Sequence, residues 1–331
     1  RALPTVTVSG DSGETATGPV TGFVAKRGSS ATKTDTPLIE TPQAISVVTR
    51  DQMEAQSALT LRETTNYTAG VVSSYFDSRV DSFKVRGGDA IQYLDGLQRS
   101  YGTYNTTRVD PYMLERVELL RGPSSVLYGQ GGIGGVLNLV SKRPQAEQQR
   151  EVQVQLGSHN RKQVAADFTG PLDTEGKWLY RLVAVNRDSG TQVDHVPDDR
   201  ILLAPSLTWR PNADTSLTLQ ALYQKDKSGS LIGFFPWQGT LLPSLHGQIP
   251  TSTFTGEPGF DRYDTRNTSL GYLFSHRFND TWTFRQNLRS TESKVVYNTS
   301  YTSFTANRLT GRPARPVFNA DQRTIERDLS A

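Results

Sequence analysis

The chain has 331 residues, with 36 Lys and Arg against 33 Asp and Glu, and its formal net charge is +3. It contains no Cys, which excludes disulfide frameworks, cysteine-ligated zinc sites and thiol nucleophiles. There is no run of about 18 apolar residues, so a transmembrane helix is excluded, and so small a charge excess does not indicate nucleic-acid binding. A transmembrane β-barrel remains compatible with this composition, because its strands need an apolar residue only at every second position.

Residues 1–35 are rich in Thr, Ser, Gly and Ala and carry few large apolar groups. Such a segment buries too little surface to offset its ordering entropy, so we expect a flexible N-terminal arm. Within it, Thr5, Val6, Thr7 and Val8 form a short β-prone run that another protein can capture as an added strand.

Residues 36–145 mix short β-prone runs with two helical stretches, and they predict a compact α+β domain. The helical stretches are 52–57, for which Asp51 offers the N-cap, and 60–66. The β-prone runs are 43–49, 83–86, 92–94, 117–120 and 135–140.

From residue 146 to the end, polar and apolar residues alternate, which indicates β-strands with one apolar face and one polar face. In a soluble β-sandwich the apolar faces would pack together. In an outer-membrane barrel they face lipid, and the polar faces line a wet lumen. The barrel interpretation predicts that Trp282 and Phe284 face lipid and that Arg285 and Arg289 face the lumen.

The lengths of the links between these strands favour the barrel. The candidate strands are 150–157, 161–170, 177–188, 199–210, 214–225, 263–277, 281–297 and one starting near 322. Short links (171–176, 211–213, 278–280) alternate with longer ones (189–198, 226–262, 298–321), and only the first link, 158–160, breaks the alternation. Outer-membrane barrels have short turns at one rim and long loops at the other, whereas a sandwich has no reason to sort its loops.

Two motifs were weighed as enzyme or metal sites. Gly129 to Gly134 fit the G-x-G-x-x-G spacing of dinucleotide-binding loops, but β-type sequence follows where that site needs a helix, so a tight turn or close backbone approach is favoured. The four His residues are far apart and lack metal-ligand spacing. We therefore do not predict an enzyme.

Candidate ligand-binding residues come from two regions. The link 226–262 is far longer than an ordinary connection and carries Phe234, Phe235 and Trp237, so it either packs on its own side chains or forms an aromatic wall over a ligand. In the first domain, Tyr and Arg side chains in turn-rich segments suit a large polar ligand with an apolar body. These are Tyr75, Arg79, Arg99, Tyr101 and Tyr104.

Several motifs are specific enough to identify a family. Residues 36–49, 85–87, 93–96, 110–129 and 134–144 resemble the plug domain of TonB-dependent outer-membrane ferric siderophore receptors. Residues 180–182, 208–211, 278–281 and 285–289 are similar to the ferrichrome, or hydroxamate, branch of that family. The resemblance implies an α+β plug domain inside a transmembrane antiparallel β-barrel of 22 strands, of which about seven or eight are present here. We therefore expect an N-terminal fragment, divided into an arm (1–35), a plug (36–145) and the first part of the barrel (146–331).

The resemblance also implies a function. The family imports ferric siderophores across the bacterial outer membrane using TonB, and its TonB box lies where Thr5–Val8 lie here. The iron stays wrapped in the hard oxygens of the siderophore, so no cofactor and no protein metal ligand is expected. Tyr104 matches a plug tyrosine that contacts the siderophore, whereas Ser74 stands where the ferrichrome branch has a plug-apex arginine, so that Arg79 or Arg99 would have to substitute for it. Phe234, with Trp237 nearby, stands where that branch has a tryptophan.

The alternative is a soluble all-β ligand-binding, carbohydrate-binding or adhesion module with an α+β cap. It explains the alternation of polar and apolar residues, but neither the sorting of the loops nor the plug motifs.

Overall fold

The computed structural model describes residues 13–73, 77–99, 104–105, 107–122, 125–129, 134–231, 233–300 and 317–330. A five-stranded sheet organises the first part of the chain, and an eight-stranded antiparallel sheet forms the second. None of the helices in these ranges is both long and apolar enough to cross a membrane.

The first part, which we call the plug, contains short elements. Its strands are β1 (Arg27–Gly28), β2 (Thr36–Pro37), β3 (Ile45–Thr49), β4 (Val71–Ser73), β5 (Phe83–Val85), β6 (Gly88–Asp89), β7 (Ile91–Leu94), β8 (Leu97–Gln98), β9 (Leu114–Leu120) and β10 (Val136–Ser141). Its α-helices are α1 (Arg50–Ala55), α2 (Leu61–Thr64) and α3 (Ser125–Tyr128), and two 3-10 turns cover Leu38–Glu40 and Pro111–Met113. The β-prone runs named above all lie in or across these strands.

Local hydrogen bonds explain where the helices begin. The Thr49 hydroxyl accepts from the Gln52 backbone N–H at 3.2 Å, so Thr49 is the N-cap of α1 and the prediction of Asp51 is wrong. Asp51 already lies within the helix, and its carboxylate accepts from the Gly22 backbone N–H at 2.5 Å. Helix α2 begins at a capping box formed by Thr60 and Glu63, as its sequence favours.

The plug sheet has the order β3-β9-β10-β7-β8, and every residue of β9 and β10 is buried. Gly134 and Gly135 precede β10 where the backbone passes very close to its neighbours. A Cβ on Gly134 would lie 2.5 Å from the Gly88 carbonyl oxygen, and one on Gly135 would meet the Leu120 carbonyl oxygen. The close-approach interpretation of the glycine motif is therefore confirmed, and a β-strand follows the motif as expected.

Residues 13–35, expected to be flexible, lie against the plug sheet instead. The buried Arg116 guanidinium donates to the carbonyl oxygens of Thr15 at 2.9 Å and Arg27 at 3.0 Å. The buried Glu118 carboxylate accepts from the Ser30 backbone N–H at 3.0 Å and from its hydroxyl at 2.5 Å. Burial raises the pKa of Glu118 above its ordinary value, against the effect of these hydrogen bonds. The composition of residues 13–35 could not predict this order, because the order comes from two charged side chains of β9 that are distant in sequence.

The second part is a single antiparallel sheet in chain order. Its strands are β11 (Gln149–Gly157), β12 (Arg161–Pro171), β13 (Trp178–Asp188), β14 (Asp199–Trp209), β15 (Thr215–Lys227), β16 (Arg262–Arg277), β17 (Thr283–Ser300) and β18 (Val317–Ser330). Short turns at one rim alternate with long links at the other, apart from the first hairpin, as predicted. We call these edges the short-turn rim and the long-loop rim.

The apolar face of this sheet is exposed and its polar face contacts the plug. Trp282 and Phe284 are 69% and 41% exposed. On the opposite face, Asn287 donates to the Asp95 carbonyl oxygen at 2.6 Å and Arg289 donates to the Leu94 carbonyl oxygen at 2.8 Å. The predicted register is therefore confirmed. The soluble-sandwich alternative is wrong, because in a sandwich the apolar face of this sheet would be covered by a second sheet.

Aromatic side chains gather on the outward face near the short-turn rim. The rings of Trp178 and Trp209 stack at 6.0 Å, and those of Phe274 and Phe284 lie 6.2 Å apart. Aromatic belts mark the membrane–water interfaces of outer-membrane barrels. The short-turn rim therefore lies at one bilayer surface.

Buried ion pairs join the plug to the sheet. The Asp110 carboxylate accepts from Arg187 of β13 and Arg200 of β14, each at 2.9 Å. Lys142 donates to Asp167 of β12 at 2.6 Å. These contacts fix the plug against the inner face of β12–β14.

Candidate ligand-binding site

The predicted plug residues that the structure brings together lie at the long-loop rim. Asp77 and Arg79 follow β4 and contact Tyr104 of the plug and Tyr297 of the sheet, and Tyr263 packs against Tyr297. We call these five residues the apical cluster. Tyr263 and Tyr297 are directly opposite each other on β16 and β17, near the ends from which the long links leave.

Arg79 is at the centre of the apical cluster and is fully buried. Its Nε donates to Asp77 Oδ1 and its Nη2 to Asp77 Oδ2, each at 2.8 Å, so the two charges pair in a bidentate fork. Burial alone would lower the pKa of Arg79, but the hydrogen bonds and charge of Asp77 outweigh it and raise that pKa. The pair is therefore charged on both sides and neutral as a unit.

Tyr104 is held by this pair. Its hydroxyl donates to Asp77 Oδ2 at 2.8 Å and accepts from Arg79 Nη2 at 3.1 Å. Its ring centroid lies 4.2 Å from the guanidinium carbon, a cation–π contact. The backbone of Tyr104 has a φ of +61°, a conformation that residues other than glycine adopt at an energetic cost. The surrounding bonds therefore hold Tyr104 in a disfavoured backbone conformation.

Two sheet tyrosines complete the cluster. The Tyr297 hydroxyl accepts from Arg79 Nη1, and its ring lies 5.5 Å from that of Tyr104. The Tyr263 ring meets Tyr297 edge-on at 5.7 Å. Sequence reasoning missed both residues, although the signal was present: counting by two from the lumen-facing Arg289 leads to Tyr297 on the same face.

The long link between β15 and β16 is tied to the plug beside the apical cluster. The Ser78 hydroxyl donates to the Gly229 carbonyl oxygen at 2.9 Å, and the Ser78 backbone N–H donates to the Leu231 carbonyl oxygen at 3.1 Å. Two hydrogen bonds therefore join the plug apex to the start of the link.

Farther along this link, the predicted aromatic residues differ in burial. Phe234 and Phe235 are partly buried, whereas the Trp237 side chain is 59% exposed. The ring of Phe254 lies 6.0 Å from that of His195 in the preceding long link. The link packs against its neighbour and also exposes aromatic surface at the rim, and the role of that surface as a wall over a ligand stays a prediction.

Arg99 does not join Arg79. Its guanidinium donates to Gln92 Oε1 at 3.0 Å and to the Thr107 carbonyl oxygen, both in the plug. Its predicted role as a substitute for a plug-apex arginine stays a prediction. Tyr75 and Tyr101, and the arm residues Thr5 to Val8, lie outside the described residues.

A cavity lies at the opposite end of the molecule. It has a volume of about 550 Å³ and is bordered by Lys33 and Asp35 of the plug and by Arg285 and Asn287 on the polar face of β17, toward the short-turn rim. It is therefore separate from the apical cluster. No group of His, Asp and Glu in the described ranges could hold a metal ion.

Comparison with known proteins connects this geometry to a family. Residues 37–136 match the family model of the TonB-dependent receptor plug domain. The ferrichrome outer membrane transporter and phage receptor of Escherichia coli K12 is 38% identical over 304 residues, which are 90% of this chain and 41% of that protein. The ferrioxamine receptor of Yersinia enterocolitica is 39% identical over 306 residues, 90% of this chain and 42% of the relative. This chain thus spans less than half the length of either relative.

A solved structure shows the same fold. The ferripyoverdine receptor of the outer membrane of Pseudomonas aeruginosa, bound to ferripyoverdine, matches with a TM-score of 0.82 at 23% identity. The match covers 98% of this chain and 43% of that receptor chain. At this identity the likeness concerns the arrangement of plug and strands.

Proposed function

Because this chain belongs to the TonB-dependent receptors, we propose that the complete protein imports a ferric siderophore of the hydroxamate type across the outer membrane. The observation that carries the proposal is the plug domain seated on the polar face of a sheet whose apolar face is exposed. Relatives named for ferrichrome and ferrioxamine, 38% and 39% identical to this chain, support the ligand class.

The charge of the apical cluster supports a neutral ligand. A ferric ion wrapped by three monoanionic hydroxamates has no net charge, and it presents carbonyl oxygens within an apolar envelope. Arg79 is already neutralised by Asp77, so the cluster offers aromatic surface rather than an unpaired positive charge. Iron is held by hard oxygens of the siderophore, so its binding needs no ligand atom from the protein.

We assign the energy coupling to the N-terminal arm. Thr5, Val6, Thr7 and Val8 would pair as an added strand with TonB. A pull on that strand passes first to residues 13–35, which Arg116 and Glu118 hold on the plug sheet. The plug would rearrange once those bonds are released.

A growth-promotion panel tests the function. An iron-starved strain that depends on the complete gene for siderophore uptake is given purified ferrichrome, ferrioxamine B or a ferric tricatecholate. We expect the two hydroxamates to restore growth and the triply negative tricatecholate to fail, with a strain lacking the gene as control. Growth on the tricatecholate alone, or on none of the three, would refute the proposal.

A further inference from the structure

We propose that Arg79 is a positioning residue that acts on the siderophore through Tyr104 and does not touch the siderophore itself. This inference rests on the function proposed above. It differs from the sequence-based expectation, in which Arg79 binds the ligand directly. It also names the buried Asp77 as the second half of the positioning device.

The hydrogen bonds of Arg79 leave it poorly placed to meet a ligand. The guanidinium has five N–H donors, and its Nε, Nη1 and Nη2 all donate to groups of the apical cluster. Arg79 has no exposed surface, and Asp77 balances its charge. A siderophore could reach this guanidinium only by breaking the bidentate pair with Asp77.

Tyr104, by contrast, is only partly buried, so a part of its side chain is accessible. Its hydroxyl is engaged as a donor to Asp77 and as an acceptor from Arg79. The side chain therefore offers a ligand its ring surface rather than a hydroxyl proton. One ring face lies at the guanidinium, so the orientation of the ring depends on Arg79.

The backbone of Tyr104 gives a second, independent observation. A left-handed conformation at a bulky residue persists only where the surroundings over-determine it. The bonds from Asp77 and Arg79 supply that constraint, and Tyr297 ties the same guanidinium to β17. Without Arg79, Tyr104 would keep its bond to Asp77 and its ring contact with Tyr297, but it would lose the guanidinium that lies against its ring and joins these groups.

The first experiment observes Tyr104 in the complete receptor without ligand. With 3-fluorotyrosine incorporated at position 104, we expect a single 19F resonance that becomes broadened and shifted in Arg79→Met. Arg200→Met is the matched control, because it removes another buried arginine with a bidentate Asp partner but touches no residue of the apical cluster. An unchanged resonance in Arg79→Met, or an equal change in the control, would overturn the positioning role.

The second experiment is a double-mutant cycle on ferrichrome binding, followed by tryptophan fluorescence quenching. We expect Arg79→Met to weaken binding about tenfold when Tyr104 is present, but less than twofold in a Tyr104→Ala background. Arg79→Lys keeps the charge without the planar fork and should fall between wild type and Arg79→Met. Equal weakening in both backgrounds would show that Arg79 acts independently of Tyr104, and it would overturn the inference.

The two experiments separate the inference from the proposed function. If wild-type receptor fails to bind ferrichrome, ferrioxamine B replaces it in the cycle. If neither binds, the proposed ligand class fails, while the 19F signal still decides whether Arg79 holds Tyr104. If Arg79→Met does not insert into the membrane, Arg79→Lys replaces it in both measurements, and Tyr104→Phe replaces Tyr104→Ala in the binding cycle, since each removes only part of the hydrogen-bond set.

Discussion

Replacing Asp110 by Ala should destabilise the contact between plug and sheet more than any surface change. Asp110 is 3% exposed, and its Oδ2 accepts from both Arg187 and Arg200 at 2.9 Å. Its Oδ1 also accepts from the Tyr112 backbone N–H at 3.0 Å and so caps the 3-10 turn. One carboxylate thus serves two sheet arginines and one turn.

Asp110→Ala would leave the two arginines with different remaining ion pairs. Arg200 keeps its bidentate pair with Asp226, at 2.8 and 2.7 Å. Arg187 keeps only Asp198, at 3.4 Å, and becomes a poorly compensated buried charge. Breaking a buried ion pair costs about 3–5 kcal/mol, and because both arginines keep one acidic partner we expect the lower value, about 3 kcal/mol. The lost cap adds about 1 kcal/mol. We therefore expect a loss of about 4 kcal/mol in the free energy of unfolding.

The pH dependence of this contribution follows from the pKa of Asp110. Burial alone would raise that pKa, but the two guanidiniums outweigh burial and hold it below its ordinary value of 3.8. A carboxylate with a lowered folded-state pKa stabilises the protein above its unfolded pKa, and this stabilisation is lost as the pH falls through the folded pKa. The penalty of Asp110→Ala should accordingly be full at neutral pH and shrink only below about pH 4.

The assay is urea unfolding of the complete receptor in detergent micelles, with a fluorescent label on the plug. Asp280→Ala is the matched control, because Asp280 lies in an exposed turn and should change the unfolding free energy by less than about 0.5 kcal/mol. The double variant Asp110→Ala, Arg187→Met should regain part of the loss, since the stranded charge is gone. A loss below about 1 kcal/mol for Asp110→Ala would refute the reasoning.

Four further variants test other parts of the molecule. Val6→Pro should abolish uptake while siderophore binding stays normal, because Pro removes a backbone donor that an added strand needs, and uptake at the wild-type rate would contradict the assignment of the TonB box. Leu270 lies in the middle of β16 and is 66% exposed, so Leu270→Arg should lower the free energy of unfolding by about 2–4 kcal/mol in refolding measurements. Phe284→Arg, beside the short-turn rim, should lower it by only about 0–1 kcal/mol. Equal losses would contradict the placement of the bilayer. Tyr104→Ala should weaken siderophore binding several-fold at normal outer-membrane levels, and an unchanged dissociation constant would place the site elsewhere.

The barrel strands were predictable because their signal is local. Alternation with a period of two marks each strand and both of its faces, so Phe284 and Arg289 fell on the correct sides. Turn residues and link lengths then sorted the two rims. Five of the plug strands (β3, β5, β7, β9 and β10) were found as short β-prone runs for the same reason, whereas the other plug strands, of two or three residues, were not. The pairing of the strands, such as β10 between β9 and β7, depends on contacts that no local pattern encodes.

The apical cluster was only partly predictable because its bonds join distant parts of the chain. Arg79 and Tyr104 were identified from residue type and position in turns, but the role of Asp77 was not, since a single carboxylate beside an arginine is common. Tyr297 lies 218 residues from Arg79 in sequence. Similarly, Glu118 looked like an ordinary strand residue, and only the fold shows that it orders the N-terminal segment.

The four-charge cluster between the plug and the first strands has a consequence for biogenesis. Lys142 and Glu115 come from the plug, and Asp167 and Arg181 come from β12 and β13. The two plug charges lose their hydration when β12 and β13 dock, and the opposite charges of those strands then take the place of water. Lys142 and Asp167 are only 25 residues apart, so this closure needs a short loop and little entropy. The hairpin of β12 and β13, which follows β11, thus carries the charges that pair with the plug, so the plug can act as the template on which the sheet begins to assemble.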